Sequence, residues 1–188
     1  MKLREKIEYG KYIMKVDPAC KSVPEAIFTY PVIAAVSSHR RAKWFYNKGL
    51  YFIARWISQR SRNKTGIEIH PGATLGKFLF IDHGMGIVIG ETAVIGDHCT
   101  IYHGVTLGGT GNQKSAKRHP TVGDHVLIGA GSIILGPVTI GNNVKIGAGS
   151  IILEDVEEGA TVVGSPALRT IRKKLAGQSL VARASSDI

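Results

Sequence analysis

The sequence predicts an all-β parallel β-helix of six-residue repeats, preceded by an α-helical N-terminal domain and followed by a polar tail. Three observations predict it. From Ile69 onward an aliphatic residue returns at six-residue spacing, with two breaks; residues 1–65 instead space their aromatic and aliphatic groups three and four apart; and only two of the 23 glycines, Gly10 and Gly49, fall in that first third. The expected domains are therefore residues 1–65 (helical), 66–166 (β-helix, with an extended loop over 108–121) and 167–188 (tail).

In the helical part, "RRAKWFYNKGLYFIARWISQRSR" carries the spacing of one helix face, and Trp44, Tyr51, Ile53 and Trp56 are expected in its core. "VDPACKSVPEA" predicts a helix stop and restart. Asp17 before Pro18 suits a cap followed by a first-turn proline. Ser22 with Glu25 three residues on suits a capping box, where each side chain takes a backbone N–H that the first turn leaves without a partner.

The repeat begins with Ile69, Leu75, Ile81 and Ile87. After a two-residue slip it continues through Ile89, Ile95, Ile101 and Leu107, and after a longer break it resumes at Val122, Ile128, Ile134, Ile140, Ile146 and Ile152. Many of these are followed by glycine, and two positions earlier stands a small residue or Val: Ala93, Cys99, Val105, Val126, Ser132, Val138, Val144, Ser150. Short strand plus tight turn, three units to a coil, makes a triangular solenoid with the aliphatic residue inside and the small one at the corner. A sandwich or barrel would instead space its strands about 8–12 residues apart with hairpin turns. Cys99 is then a packing residue.

The net charge of +10 is confined to the helices, since residues 1–65 hold 14 Lys/Arg against 4 Asp/Glu and the remainder holds 10 of each. We read it as a solvated helix face, because no nucleic-acid motif accompanies it. Two cysteines, neither in a C-x-x-C pair, exclude a disulfide framework and fit a reducing cytoplasm. The charged N-terminus and the shortness of "FTYPVIAAV" lead us to expect a soluble chain without a leader or membrane span.

The two breaks in the repeat carry the chemistry. Between Leu107 and Val122 nine residues more than one repeat must leave the wall, and this excursion holds Gly108, Gly109, Gly111, Lys114 and Lys117 before closing on Arg118-His119-Pro120, a composition suited to the wall of an anion-binding pocket. The slip between Ile81 and Ile89 holds Asp82 and His83 among Gly84 and Gly86, and local deformations re-aim side chains toward sites. Glu68, fifteen residues before His83, lies close to one coil away. A histidine held by a carboxylate is the arrangement of a general base, because the carboxylate fixes the tautomer and stabilises the imidazolium.

"GIEIHPGATLGKFLFIDHGMGIVIGETAVIGDHCTIYHGVTLGGTG", followed by "KRHPTVG" and "IGAGS", closely resembles the serine O-acetyltransferases. The resemblance runs from about Asp17 to Pro166 and rests on I-D-H-G, G-E-T, T-L-G-G-T-G and R-H-P. It implies a left-handed β-helix that transfers the acetyl group of acetyl-CoA to L-serine in cysteine biosynthesis, without a metal. It places the catalytic base at His83 and its carboxylate partner at Glu68, where many members carry Asp. Serine would be bound by Asp17, Asp82, Arg118 and His119, and CoA would run past Gly109, Ala130 and Ala148 between subunits. The resemblance further implies a homotrimer or a dimer of trimers, feedback inhibition by L-cysteine, and docking of the C-terminal Ile188 in O-acetylserine sulfhydrylase.

Three other readings compete, one of them a non-catalytic scaffold with a basic helical arm, which has to treat both breaks in the repeat as accidents. A hexapeptide acetyltransferase acting on a sugar or antibiotic hydroxyl would share His83, but a neutral sugar needs neither Arg118 nor Asp82. A zinc-binding solenoid like the γ-type carbonic anhydrases would gather His83, His103 and His119.

Overall fold

The computed structural model describes residues 1–111 and 117–164, and the backbone of 167–170. The middle of the expected 108–121 loop, with Lys114, and the tail beyond Thr170, with Ile188, lie outside the described residues.

Four helices come first: α1 (Leu3–Val16), α2 (Val23–Thr29), α3 (Pro31–Tyr46) and α4 (Tyr51–Thr65). Between α1 and α2 the capping differs from expectation. Asp17 ends α1 instead of starting a helix at Pro18, and its Oδ1 accepts the Ala19 N–H at 2.8 Å. Ser22 does cap α2, accepting the Glu25 N–H at 3.3 Å, while the Glu25 carboxylate reaches one residue further back, to the Lys21 N–H. Gly66 ends α4 with φ at +72°, the left-handed conformation that glycine adopts without a Cβ penalty.

The large apolar residues expected in the helical core are exposed: Trp44 at 58%, Tyr51 at 58%, Trp56 at 55% and Ile53 at 38%. α4 instead turns its small side toward the solenoid, burying Ala54, Ser58 and Thr65, with Ser58 Oγ donating to the Ile69 carbonyl at 2.7 Å. A helix lying on a flat sheet wall approaches closely only through small residues, so the large rings are left outside.

After Gly66 the chain winds into a prism of parallel strands with three faces. The first face holds β1 (Ile67–Ile69), β4 (Ile87–Ile89), β7 (Thr106–Gly108), β10 (Ile133–Leu135) and β13 (Ile151–Ile152). The second holds β2 (Thr74–Leu75), β5 (Val94–Ile95), β8 (Thr121–Val122) and β11 (Thr139–Ile140). The third holds β3 (Phe80–Ile81), β6 (Thr100–Ile101), β9 (Leu127–Ile128), β12 (Lys145–Ile146) and β14 (Thr161–Gly164), closed by β15 (Ala167–Thr170), which runs antiparallel to β14.

Every repeat aliphatic from Ile81 to Ile152 is buried, as is each small residue two positions before those from Ile95 onward. Cys99 is among them: its thiol bonds the Gly123 carbonyl at 3.0 Å, and burial pushes its pKa up to about 11, so it packs and does not react at neutral pH. The glycine after the aliphatic residue has a steric cause. A Cβ on Gly129 would lie 2.5 Å from the Ala148 backbone nitrogen of the next coil. Coils spaced at the strand-to-strand distance leave no room for a side chain there.

Candidate active site

Register fixes how much chain each break inserts. Ile81 pairs with Ile101, twenty residues on, whereas Ile89 pairs with Leu107, eighteen on. The corner between β3 and β4 therefore holds two extra residues. His83 and Gly84 fill that role, both in left-handed backbone, with φ of +60° and +83°. That conformation costs a non-glycine residue about 1–2 kcal/mol, and its result here is an imidazole lifted off the wall with 72% of its side chain exposed. Nε2 lies 3.8 Å from Asp82 Oδ1. The ring also meets His103 of the next coil edge to face, centroids 5.7 Å apart.

In the two following coils the same corner is Gly129-Ala130-Gly131 and then Gly147-Ala148-Gly149. Gly131 and Gly149 both have φ of +69°, and a Cβ on either would meet nothing within 4 Å. The corner is thus a track nearly free of side chains that leads from His83 past His103 to Ala130 and Ala148.

Glu68 sits on β1 beside Val88 of β4. That is the coil next to His83, since a Cβ on Gly84 would come within 2.8 Å of Ile67 Cδ1. Its carboxylate turns to α4: Arg62 Nη1 at 3.0 Å, Gln59 Nε2 at 3.4 Å and Arg55 Nη2 at 4.0 Å. Among the described contacts none joins it to His83. Asp17 accepts the Tyr30 O–H through Oδ2, and among the described contacts it does not meet Asp82, His83, Arg118 or His119.

The second break opens between β7 and β8. Ile95 pairs with Val122, twenty-seven residues on, against eighteen from Val122 to Ile140, so nine residues leave the wall. The chain returns onto the turn Gly90-Glu91-Thr92. Thr92 Oγ1 accepts the N–H groups of Arg118 and His119, both at 3.1 Å, and meets His119 Nδ1 at 2.9 Å. The Thr92 N–H also donates to Nδ1, at 3.2 Å. An accepting Nδ1 assigns the proton of the neutral ring to Nε2. Burial first, and the Arg118 charge second, hold the His119 pKa below its usual value, so the ring is neutral near pH 7 with Nε2–H as a donor. That edge faces Gly90 and Gly109: a Cβ on Gly90 would overlap the ring, and one on Gly109 would stand 3.2 Å from Nε2.

Arg118 Nη2 meets Glu91 Oε2 at 3.0 Å, and Glu91 Oε1 accepts the Tyr46 O–H at 2.7 Å. The hydrogen bond from Tyr46 leads the causes that keep the Glu91 carboxyl below the usual carboxylate range. Repeat spacing could not reveal Thr92, Glu91 or Tyr46 as site residues, because Thr92 and Glu91 sit in a regular coil and Tyr46 is 45 residues from its partner.

The two corners flank the first face. His83 and Asp82 precede β4, while Gly90, Thr92 and the returning Arg118 and His119 follow it, with roughly 10 Å of strand between them at about 3.3 Å per residue. Among the described contacts none joins His83 to Arg118, and of the three histidines a zinc site would gather, the described contacts join His83 and His103 but not His119.

Comparison with known proteins agrees with this architecture. The bacterial transferase hexapeptide family (six repeats) matches residues 119–154. The serine acetyltransferase of Helicobacter pylori is 53% identical over 161 residues, covering 86% of this chain and 93% of that protein. That of Staphylococcus epidermidis is 58% identical over 156 residues, 83% of this chain and 73% of its own length. Among solved structures, Neisseria gonorrhoeae serine acetyltransferase superposes with a TM-score of 0.85 at 42% identity over 90% of this chain, which spans 66% of that structure. Structures of such enzymes with serine (TM-score 0.82, 42% identity, 88% of this chain and 68% of that one) and with CoA (0.82, 34%, 88% and 68%) match as well. So does a cysteine complex (0.85, 35%, 89% and 69%).

Proposed function

This chain belongs to the serine acetyltransferase family, and from that premise we propose that it transfers the acetyl group of acetyl-CoA to the hydroxyl of L-serine, at sites shared between copies of the chain. The observation that carries the shared site is the placement of its two halves on opposite edges of one solenoid face. A prism with complementary edges closes into a ring when the second edge of one copy meets the first edge of the next, and three copies complete it. Each site then takes His83 and Asp82 from one copy and Arg118 and His119 from its neighbour.

The chemistry follows from those groups. A serine hydroxyl is a poor nucleophile at neutral pH, so His83 takes its proton as the oxygen attacks the thioester carbonyl. The new C–O bond forms, the C–S bond breaks, and the same proton passes from His83 to the departing thiolate. Glu68, one coil away, is the carboxylate that would orient the ring, on turning from Arg62. Arg118 holds the substrate carboxylate, Asp82 and Asp17 hold its ammonium, and the neutral His119 donates from Nε2. Acetyl-CoA lies along the track past Ala130 and Ala148, with Gly109 of the neighbouring copy opposite. This reading is supported by the relatives solved with serine and with CoA. The relative solved with cysteine supports cysteine as an inhibitor in the serine pocket. We retain the docking of Ile188 in O-acetylserine sulfhydrylase as part of this proposal; deleting Ile188 should abolish co-elution of the two enzymes, and unchanged co-elution would remove it.

Thiol release from acetyl-CoA tests the activity, with L-serine run beside D-serine, homoserine and a galactoside. We expect release with L-serine alone to be strong and to collapse in His83→Ala. Release that follows the galactoside would keep the fold and defeat the roles given to Arg118 and Asp82.

A further inference from the structure

Arg118 projects from the returning end of a loop, where a guanidinium on its long stem has many rotamers. A planar fork recognises a carboxylate well only when it is held in one orientation with an edge left open. Glu91 supplies the hold at 3.0 Å, yet a free carboxylate beside an arginine has a competing option: it can rotate and engage one edge through both oxygens, tying up a second N–H and swinging the guanidinium plane toward itself and away from another anion. In this structure the second oxygen is not free. Glu91 Oε1 accepts the Tyr46 hydroxyl at 2.7 Å.

Tyr46 is itself fixed. It is the last residue of α3, its ring meets Tyr51 of α4 edge to face at 5.0 Å, and it meets His70 of the solenoid in the same way at 5.7 Å. The phenol pKa is pushed up to about 12, by the Glu91 hydrogen bond first and burial second, so the O–H stays on to donate throughout the neutral range. The loop backbone is tied to the same turn through the Thr92 hydroxyl, which accepts the Arg118 and His119 amides and so keeps the stem of Arg118 beside Glu91.

Resting on the serine transferase reading, we propose that Tyr46 is a positioning residue for substrate selectivity: by occupying one oxygen of Glu91 it limits that carboxylate to a single contact with Arg118 and leaves the other edge of the guanidinium open for the α-carboxylate of the amino-acid substrate. The helical domain thereby sets the carboxylate specificity of the solenoid site. Tyr46 touches neither substrate nor reacting atoms.

The test uses the full-length enzyme and two acceptors, L-serine and L-serinamide, which differ at the carboxylate. Tyr46→Phe removes one oxygen. We expect KM for L-serine to rise roughly 10- to 100-fold, the effect of one hydrogen bond to a charged group, while KM for acetyl-CoA and for serinamide each move less than about twofold. In a Glu91→Gln background, where no carboxylate is present to swing the guanidinium round, Tyr46→Phe should leave KM for L-serine unchanged. An equal rise for serinamide, a rise that persists in the Gln background, or no rise at all would overturn the proposal. Wild-type enzyme that releases no thiol with L-serine would overturn the functional reading first and this proposal with it, so the two failures are distinguishable.

Discussion

Thr92 concentrates the structure's hold on the loop exit in one oxygen. Its hydroxyl accepts the amide N–H groups of Arg118 and His119 and meets His119 Nδ1, at 3.1, 3.1 and 2.9 Å. Thr92→Val preserves the side-chain shape and removes all three contacts. At about 1 kcal/mol net for each neutral hydrogen bond, the loss totals about 2–3 kcal/mol. The released amides sit at the edge of the wall, where the exit segment can swing outward and hydrate them. The cost then appears as misplaced Arg118 and His119, and not as global instability. At 1.4 kcal/mol per tenfold, kcat/KM for L-serine should fall by roughly 30- to 150-fold. Steady-state thiol release with L-serine varied at saturating acetyl-CoA measures it. KM for acetyl-CoA should move less than about threefold, and Thr92→Ser, which restores the oxygen, should recover activity to within about fivefold of wild type. A Val variant with more than about a third of wild-type kcat/KM would refute the reasoning; so would a Ser variant as impaired as the Val variant, since the methyl group and not the hydroxyl would then be at work.

Acid should unfold the protein through its histidines. Burial holds His39 at a pKa of about 4, with Nε2 at 3.1 Å from the Ala73 carbonyl, and burial also lowers His70. A neutral native imidazole means that the unfolded chain binds more protons below its ordinary pKa of about 6.5, so stability is level above that pH and declines as pH falls, by about 3 kcal/mol at pH 4 from His39 alone. Denaturant unfolding from pH 7.5 to 4 should show this slope, and His39→Gln should flatten it; an unaltered slope in that variant would remove His39 from the account. The two kinds of corner glycine should also separate. Gly129→Ala drives a methyl group to 2.5 Å from the Ala148 backbone and should cost about 3 kcal/mol or more, whereas Gly131→Ala has open space and pays only the left-handed strain of about 1–2 kcal/mol. Equal thermal midpoints for the two variants would contradict the coil-packing argument.

What the sequence made legible follows from what repeats. Six-residue spacing reports the interior of the solenoid directly, because every coil solves the same packing problem, and the positions from Ile81 to Ile152 are buried as expected. Breaks in that spacing mark the candidate site for the same reason, since chain that does not fit a coil must leave the wall, as at His83 and before Arg118. The helical part offers no such redundancy. Tyr51, Ile53 and Trp56 of α4 belong to a run expected to form the helical core, but the face that α4 presents to the solenoid is chosen by how closely a helix can approach a sheet, a tertiary property that sequence spacing cannot carry. Asp17 likewise ends α1 because the chain turns there. The links from Tyr46 to Glu91 and from Thr92 to the loop join residues 45 and 26 or 27 positions apart, in registers set only once the coils have stacked.

A mixture of two inactive variants tests the central claim, that the site is assembled from opposite edges of neighbouring copies. His83→Ala and Arg118→Ala each remove one half-site. Co-expressed in equal amounts and purified together, they should recover L-serine-dependent thiol release to about one quarter of wild type, because a site in a randomly mixed ring of copies is whole only when intact His83 meets intact Arg118 of the next copy. A mixture as inactive as its parents, in assemblies shown to contain both variants, would place the whole site within one chain and contradict the account.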